Sequence, residues 1–415
     1  MMILLKIRFA KYFANRRLNE MSNVTQLFKN VNIFRSADQP VINKGFIVVN
    51  NGKVAAIGND LTSIQTHVDH EIDLHKQWII PGIIDAHVHL LMNPEDPNAN
   101  GRDPRLRQED PIISSLRAVK HLKQFLRSGI TYIRDAGGPT LANIAVRTCI
   151  RSEIVEGPGM ITCGRTITIT GGHAKQWGIT ADGVDEVRKA ARTLILAGAD
   201  LLKVTADGDT SARYMLSYDD IRTVVEQAHR AGKKVMAHTS RIAGIRDAVY
   251  AGVDSIEHAA ELYQDDEVIK EMVKRGTYLV PTLTAYQSII SYEESKGHQA
   301  QRMYKPLANE IKSLQRAYHV GIPVAIGTDS GTIWNRHGQA TIREIKLIAD
   351  SGISPVDVLN SATKVGAQLL GIDDKYGSLE KGKFADFVVL NDSPLNNIDT
   401  LFHPVQVYKT GRLVN

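Results

Sequence analysis

Cysteine is scarce in this 415-residue chain, which has two, Cys149 and Cys163. They lie in no CxxC motif, so a thiolate zinc site is excluded and a reducing, cytoplasmic compartment is expected. Long apolar runs are also missing. None approaches the roughly 18 residues that span a bilayer, which excludes an integral membrane segment. The central region has no Gly-rich phosphate loop after its first strand, as a doubly wound open sheet usually has. Disorder is excluded for the bulk of the chain by 43% apolar side chains.

Net charge is the next thing in short supply, once its position is considered. The chain carries +5. Residues 1–20 (MMILLKIRFAKYFANRRLNE) hold +4 of that, and the other 395 residues hold +1. A nearly neutral body argues against nucleic acid as a partner. The basic segment, set apart here as residues 1–23, has three readings. It is an Arg-rich presequence of mitochondrial type, a membrane-surface helix, or an artefact of start-site choice if translation begins at Met21. A secretory signal fits poorly, because Lys6, Arg8 and Lys11 interrupt the apolar stretch.

What is present is β-rich text at both ends. Residues 24–80 read as short strands broken by turns, with Asn51-Gly52 a strong two-residue hairpin signal. Residues 371–415 have the same texture, with Thr410-Gly411 as a turn. Neither piece buries a core alone, so the two ends are expected to pair into one small β-sandwich. Residues 81–370 instead alternate β-branched runs with amphipathic helices, most of which close on glycine. The strand candidates are GIIDAHVHL, ITYIRDAG, GMITCGRTITI, DLLKVTADG, KKVMAHT, DSIEHAA, TYLVPTL and IPVAIGTDSG. Eight of them predict an α/β fold with a (β/α)8 TIM-type barrel. A length of 415 residues suits such a barrel plus an accessory domain.

Polar residues collect on these strands. His87 and His89 close the first, Lys203 sits in the fourth, and His238, His258 and Asp329 end the fifth, sixth and eighth. Strand ends of a barrel share one mouth, so the six converge although 242 positions separate His87 from Asp329. Period-two alternation puts His87 and His89 on one side of their strand. Each residue alone is weak, and a lone strand-end histidine is more often structural. The conjunction over five strands, with a lysine inside a buried strand, points to chemistry. Imidazoles and carboxylates without thiolates suit Zn²⁺, Mn²⁺, Fe²⁺ or Co²⁺, zinc first. A desolvated lysine amine reacts with CO₂ to a carbamate, which bridges two metals that share a hydroxide. Asp329 then serves as general base and acid while that hydroxide attacks a carbonyl.

At these residues the sequence resembles the amidohydrolase superfamily, over nearly the whole chain. PGIIDAHVHL matches the strand-1 motif and GSLEKGKFADFVVL the entry to a C-terminal β-sandwich. The order Lys203, His238, His258, Asp329 resembles the binuclear, carboxylated-lysine subgroup. ITGGHAK, DLLKV, GVDSIEHA and AIGTDSG look most like the metallo-dipeptidase and carboxypeptidase branch, prolidase-like and often labelled imidazolonepropionase-like. The resemblance implies that His87, His89 and Asp329 hold one metal, that His238 and His258 hold the other, and that Lys203 bridges both. His173 would meet the substrate carbonyl or carboxylate. The implied activity is hydrolysis of an amide, in a dipeptide or N-acyl amino acid, with homo-oligomers common among members. The stretch after Lys203, with Arg213 and Tyr214, and Thr239-Ser240-Arg241 after His238 depart from the branch. Arg213, Tyr214 and Arg241 are candidates to clamp a substrate carboxylate, or are solvated loop residues. His337 is a further pocket candidate. The alternatives are lactone or phosphotriester hydrolysis, a cyclic-amide hydrolase, and a deaminase. A deaminase would have a glutamate where Arg241 stands and would lack Lys203.

Overall fold

The computed structural model describes residues 24–96, 109–207 and 215–414. The chain opens with β1 (Thr25–Ile33), β2 (Ile42–Asn50), β3 (Lys53–Gly58), β4 (His70–Asp73) and β5 (Trp78–Pro81). The central strands are β6 (Ile83–Val88), β7 (Ile130–Asp135), β8 (Gly159–Thr162), β9 (Ile167–Thr168), β10 (Ile179–Thr180), β11 (Leu202–Thr205), β12 (Val235–Thr239), β13 (Ser255–His258) and β14 (Tyr278–Val280). β15 (Phe387–Leu390), β16 (Gln406–Lys409) and β17 (Arg412–Leu413) close the chain. No helix among the described residues is long and apolar enough to cross a membrane.

Both chain ends contribute to one sheet, in the order β17-β16-β15-β5-β1-β2-β3 with β4 beside β1. The seam is β15 against β5, antiparallel, Phe387 facing Pro81 and Leu390 facing Trp78. Hydrogen bonding thus makes the ends one continuous eight-stranded sheet, where two packed sheets were expected. The Asn51-Gly52 turn forms between β2 and β3, with φ of +52° and +72°. Those left-handed angles are what selects Asn-Gly. The sheet's core is aromatic: Phe28 meets Phe387 and Tyr408 edge-on at 5.2 and 5.0 Å, and those two stack at 4.6 Å.

The central strands are all parallel and lie in two sheets, β6-β7-β8 and β10-β9-β11-β12-β13-β14. Helices alternate with them: α1 (Pro111–Arg127), α2 (Ala142–Arg151), α3 (Gly183–Ala197), α4 (Tyr218–Arg230), α5 (Ile242–Ala251), α6 (Asp266–Arg275), α7 (Leu283–Ser295), α8 (Gln301–Val320) and α9 (Gln339–Asp350). Three of these nine starts carry side-chain caps. Asp110 caps α1 ahead of Pro111, and Ser217 and Asp220 form a capping box on α4.

Two of the eight expected strands are corrected. GMITCGRTITI breaks into β8 and β9 around Gly164, whose φ is +74°. Residues 323–330 form no ladder, only isolated bridges Leu279–Val324 and Val88–Ser330. The amides of Thr328 and Asp329 both donate to the His87 carbonyl, because Asp329 turns left-handed at φ +57°. A closed eight-stranded ladder is therefore not formed among the described residues.

Candidate metal centre

Side-chain alternation separates two environments. On β11, Leu202 and Val204 join the helix-facing core, while Lys203 points the other way and is 2% exposed. At the end of β6, His87 and the following His89 are buried with their rings 5.5 Å apart, whereas Asp85 turns to the hydroxyls of Thr328 and of Thr341 on α9. His258 breaks the rule. As a neighbour of Glu257 it would face the helices, but φ of +73° turns it back towards His87, ring centroids 5.3 Å apart. Left-handed backbone at a non-glycine residue costs about 1–2 kcal/mol, and it occurs here at two candidate ligands, His258 and Asp329.

His87, His89 and Asp329 bring ligand atoms within 4.8 Å of one another, a group able to hold a metal ion. Asp329 Oδ1 is 3.4 Å from His87 Nε2 and 3.1 Å from His89 Nε2. The opposite ring nitrogens are committed. His89 Nδ1 is 2.5 Å from the Gly137 carbonyl, and His87 Nδ1 is 2.7 Å from the Glu257 carboxylate. A carbonyl and a carboxylate accept, so Nδ1 carries the proton on both rings. Each Nε2 of a neutral ring is then a lone pair facing a carboxylate oxygen, and a cation is what such a convergence of acceptors fits. Lys203 Nζ lies 3.2 Å from His87 Nε2.

His258 and His238 complete the cluster, with ring centroids 4.3 Å apart. His258 Nδ1 meets Thr282 Oγ1 at 2.6 Å, and its buried Nε2 has no hydrogen-bond partner. A buried imidazole nitrogen left that way is costly unless a ligand completes it. Burial pushes the His258 imidazole down to about 3 and His238 well below its usual range, so both are neutral lone-pair donors. Burial also lowers the Lys203 ammonium, towards the amine.

The other sequence candidates are scattered. His173 stacks on His238 at 4.6 Å, in the loop between β9 and β10. Arg241 immediately precedes α5, its amide donating to the buried Asp207 carboxylate at 3.0 Å. His337 is buried behind β6, its Nε2 3.2 Å from the His89 carbonyl and its ring stacked on His121 at 4.0 Å. Arg213 and Tyr214 lie outside the described residues, as does the 1–23 extension. Two groups escaped sequence reasoning. Trp177 packs edge-on to His89 at 4.9 Å, with Lys203 Nζ 5.9 Å from its ring centre. Arg134 and Glu257 form a buried ion pair beneath His87. The signal for that pair was legible: a charge inside a buried strand, the criterion that singled out Lys203.

Comparison with known proteins agrees with this geometry. The model of the amidohydrolase family matches residues 78–414. Ochratoxinase of Aspergillus niger is 26% identical over 406 residues, covering 88% of this chain and 82% of the relative. Imidazolonepropionase of Cupriavidus necator is 24% identical over 405 residues, with coverages of 89% and 90%. A crystal structure of an Xaa-Pro dipeptidase with methionine bound in its active site superposes with a TM-score of 0.84 at 27% identity, covering 94% of this chain and 99% of that one. Family match, relatives and ligand cluster coincide: the chain belongs to the amidohydrolase family and is a hydrolase acting on amide C–N bonds.

Proposed function

We propose that this chain is a binuclear metal-dependent amidohydrolase of a dipeptide or N-acyl amino acid. The observation that carries it is the set of ring lone pairs on His87 and His89 facing the Asp329 carboxylate, with the unpartnered Nε2 of His258 beside them. His87, His89 and Asp329 would hold one ion, His238 and His258 the other, and Lys203, as its CO₂-derived carbamate, would bridge them. Zinc is the first choice, with manganese, iron or cobalt as alternatives. Bound divalent ions supply Lewis acidity and bring the pKa of water towards neutrality.

The chain's own residues do the rest. Asp329 takes the proton of the attacking water and passes it to the leaving nitrogen. His173, beside His238, meets the substrate carbonyl or carboxylate. Arg241, with Arg213 and Tyr214, clamps the substrate carboxylate. His337 steadies the end of β6 through the His89 carbonyl, a supporting role more than a pocket one. Trp177 keeps water off Lys203. In this reading residues 81–370 make up the metal-dependent hydrolase body, with residues 323–330 bridging β14 and the end of β6. Residues 24–80 and 371–415 form the accessory β-domain, joined through β15 and β5.

The test is a hydrolysis screen on protein reconstituted with zinc and bicarbonate, over Xaa-Pro, Xaa-Arg and other dipeptides, N-acyl amino acids, and lactones. Turnover of a dipeptide or acyl amino acid is expected. Turnover confined to lactones would overturn the substrate assignment, and no more than trace metal per chain would overturn the metal assignment.

A further inference from the structure

Three histidines of the cluster, His87, His89 and His258, are backed at Nδ1 by groups of different charge. Behind His87 stands Glu257, an anion gripped by Arg134 Nη2 at 2.8 and 3.0 Å and by Ser255 Oγ at 2.5 Å. Arg134 is fixed in turn by Ser255 Oγ at 3.0 Å and by the Ala86 carbonyl. Arg134, Ser255, Glu257 and His87 are all buried, and they come from three strands, β6, β7 and β13. His89 rests on a carbonyl and His258 on the neutral hydroxyl of Thr282. The Thr282 turn is held from outside, its amide donating to Glu310 and the next two amides to Glu344.

A carboxylate behind an imidazole fixes the ring and strengthens its lone pair more than a neutral group does. The His87 half also contains the carboxylate of Asp329, a third protein ligand beside its two rings, whereas the other half has the two imidazoles of His238 and His258. We propose that Arg134 and Glu257 are positioning residues for His87, and that the centre is consequently unequal. The ion held by His87, His89 and Asp329 is retained more tightly than the ion held by His238 and His258. This rests on the two-metal reading above.

The experiment is a count of zinc ions per chain against free zinc set by chelators of graded affinity, in bicarbonate, by elemental analysis. Wild-type protein is expected to lose its two ions in separate steps, at free-zinc midpoints at least about tenfold apart. Thr282→Val should shift only the weaker step, by about 10–100-fold, and Thr282→Ser should restore it. Glu257→Gln should shift the tighter step by a similar factor. If that variant fails to fold, the wild-type and Thr282 titrations still decide the matter. Two ions leaving at a single midpoint, or a Thr282→Val shift in the tighter step, overturns the inequality and leaves the two-metal reading standing. A chain that never takes up more than one ion at saturating zinc overturns both.

Discussion

Along β15, Phe387 and Val389 bury apolar side chains against Phe28 and Tyr408. Along β13, the buried residues Ser255, Glu257 and His258 are polar. The terminal sheet does bury a carboxylate, Asp386, but Lys409 Nζ at 2.6 Å and the Thr410 amide at 2.7 Å answer it at once. In the centre, His87 bonds both Glu257 and Lys203, and His89 and His258 are buried against the same ring. A protein selected for stability alone would fill that space with aliphatic side chains, since buried ion pairs seldom exceed well-packed hydrophobes in stability. The contrast teaches where the molecule gives up stability for a reactive site.

The largest effects should separate the two regions. Asp329→Asn is expected to lower turnover by about 10²–10⁴-fold through loss of proton transfer, without lowering the thermal midpoint of the metal-free protein. Lys203→Ala should do comparable damage, partly rescued by short carboxylates; unimpaired turnover would discard the carbamate. Phe28→Ala should act in reverse. It should cost about 3–5 kcal/mol in a denaturant titration, because its aromatic contacts leave a cavity, while zinc per folded chain stays the same.

A pH experiment sharpens the comparison further. Burial raises Glu344 to about 8, against the pull of the Thr284 and Leu283 amides. The folded chain keeps this proton between the ordinary glutamate value of 4.5 and about 8, whereas the unfolded chain has released it. Stability from this group is therefore largest below that window and falls as pH rises through it, by up to about 1.4 kcal/mol per pH unit. Unfolding free energies across pH 5–8 should decline less steeply in Glu344→Gln. Equal slopes would show that Glu344 carries no such linkage. The smallest effect belongs to the terminal sheet. Gly52→Ala places a Cβ at φ +72°, 2.5 Å from Thr410 Cγ2, and should cost about 1–2 kcal/mol in the same titration.

Much of the centre was legible because strand periodicity is local. His87 and His89 are two apart on β6, so both are committed to one side. Lys203 was conspicuous because an unpaired ammonium does not sit in a buried strand without cause. Arg134 and Glu257 meet the same criterion, but each stands one residue short of its strand's end, outside the pattern of strand-end ligands. Trp177 carried no signal. Its loop position and contacts with His89 and Lys203 depend on how residues 169–178 fold back. The eighth strand misled, because β-branched residues favour extension but do not dictate a ladder.

By itself the sequence determined the alternation of apolar and polar positions, the hairpin at Asn51-Gly52, the helix caps, and the chemical types available at strand ends. These depend on neighbours a few residues away. Tertiary structure decided which strands met, that β15 would pair with β5, and that Asp329 would lie 3.1 Å from His89. It also decided the left-handed turn that swings His258 inward and the different groups that stand behind each imidazole. Those outcomes hang on contacts between residues tens to hundreds of positions apart. Only the packed whole can hold a backbone angle that costs energy locally.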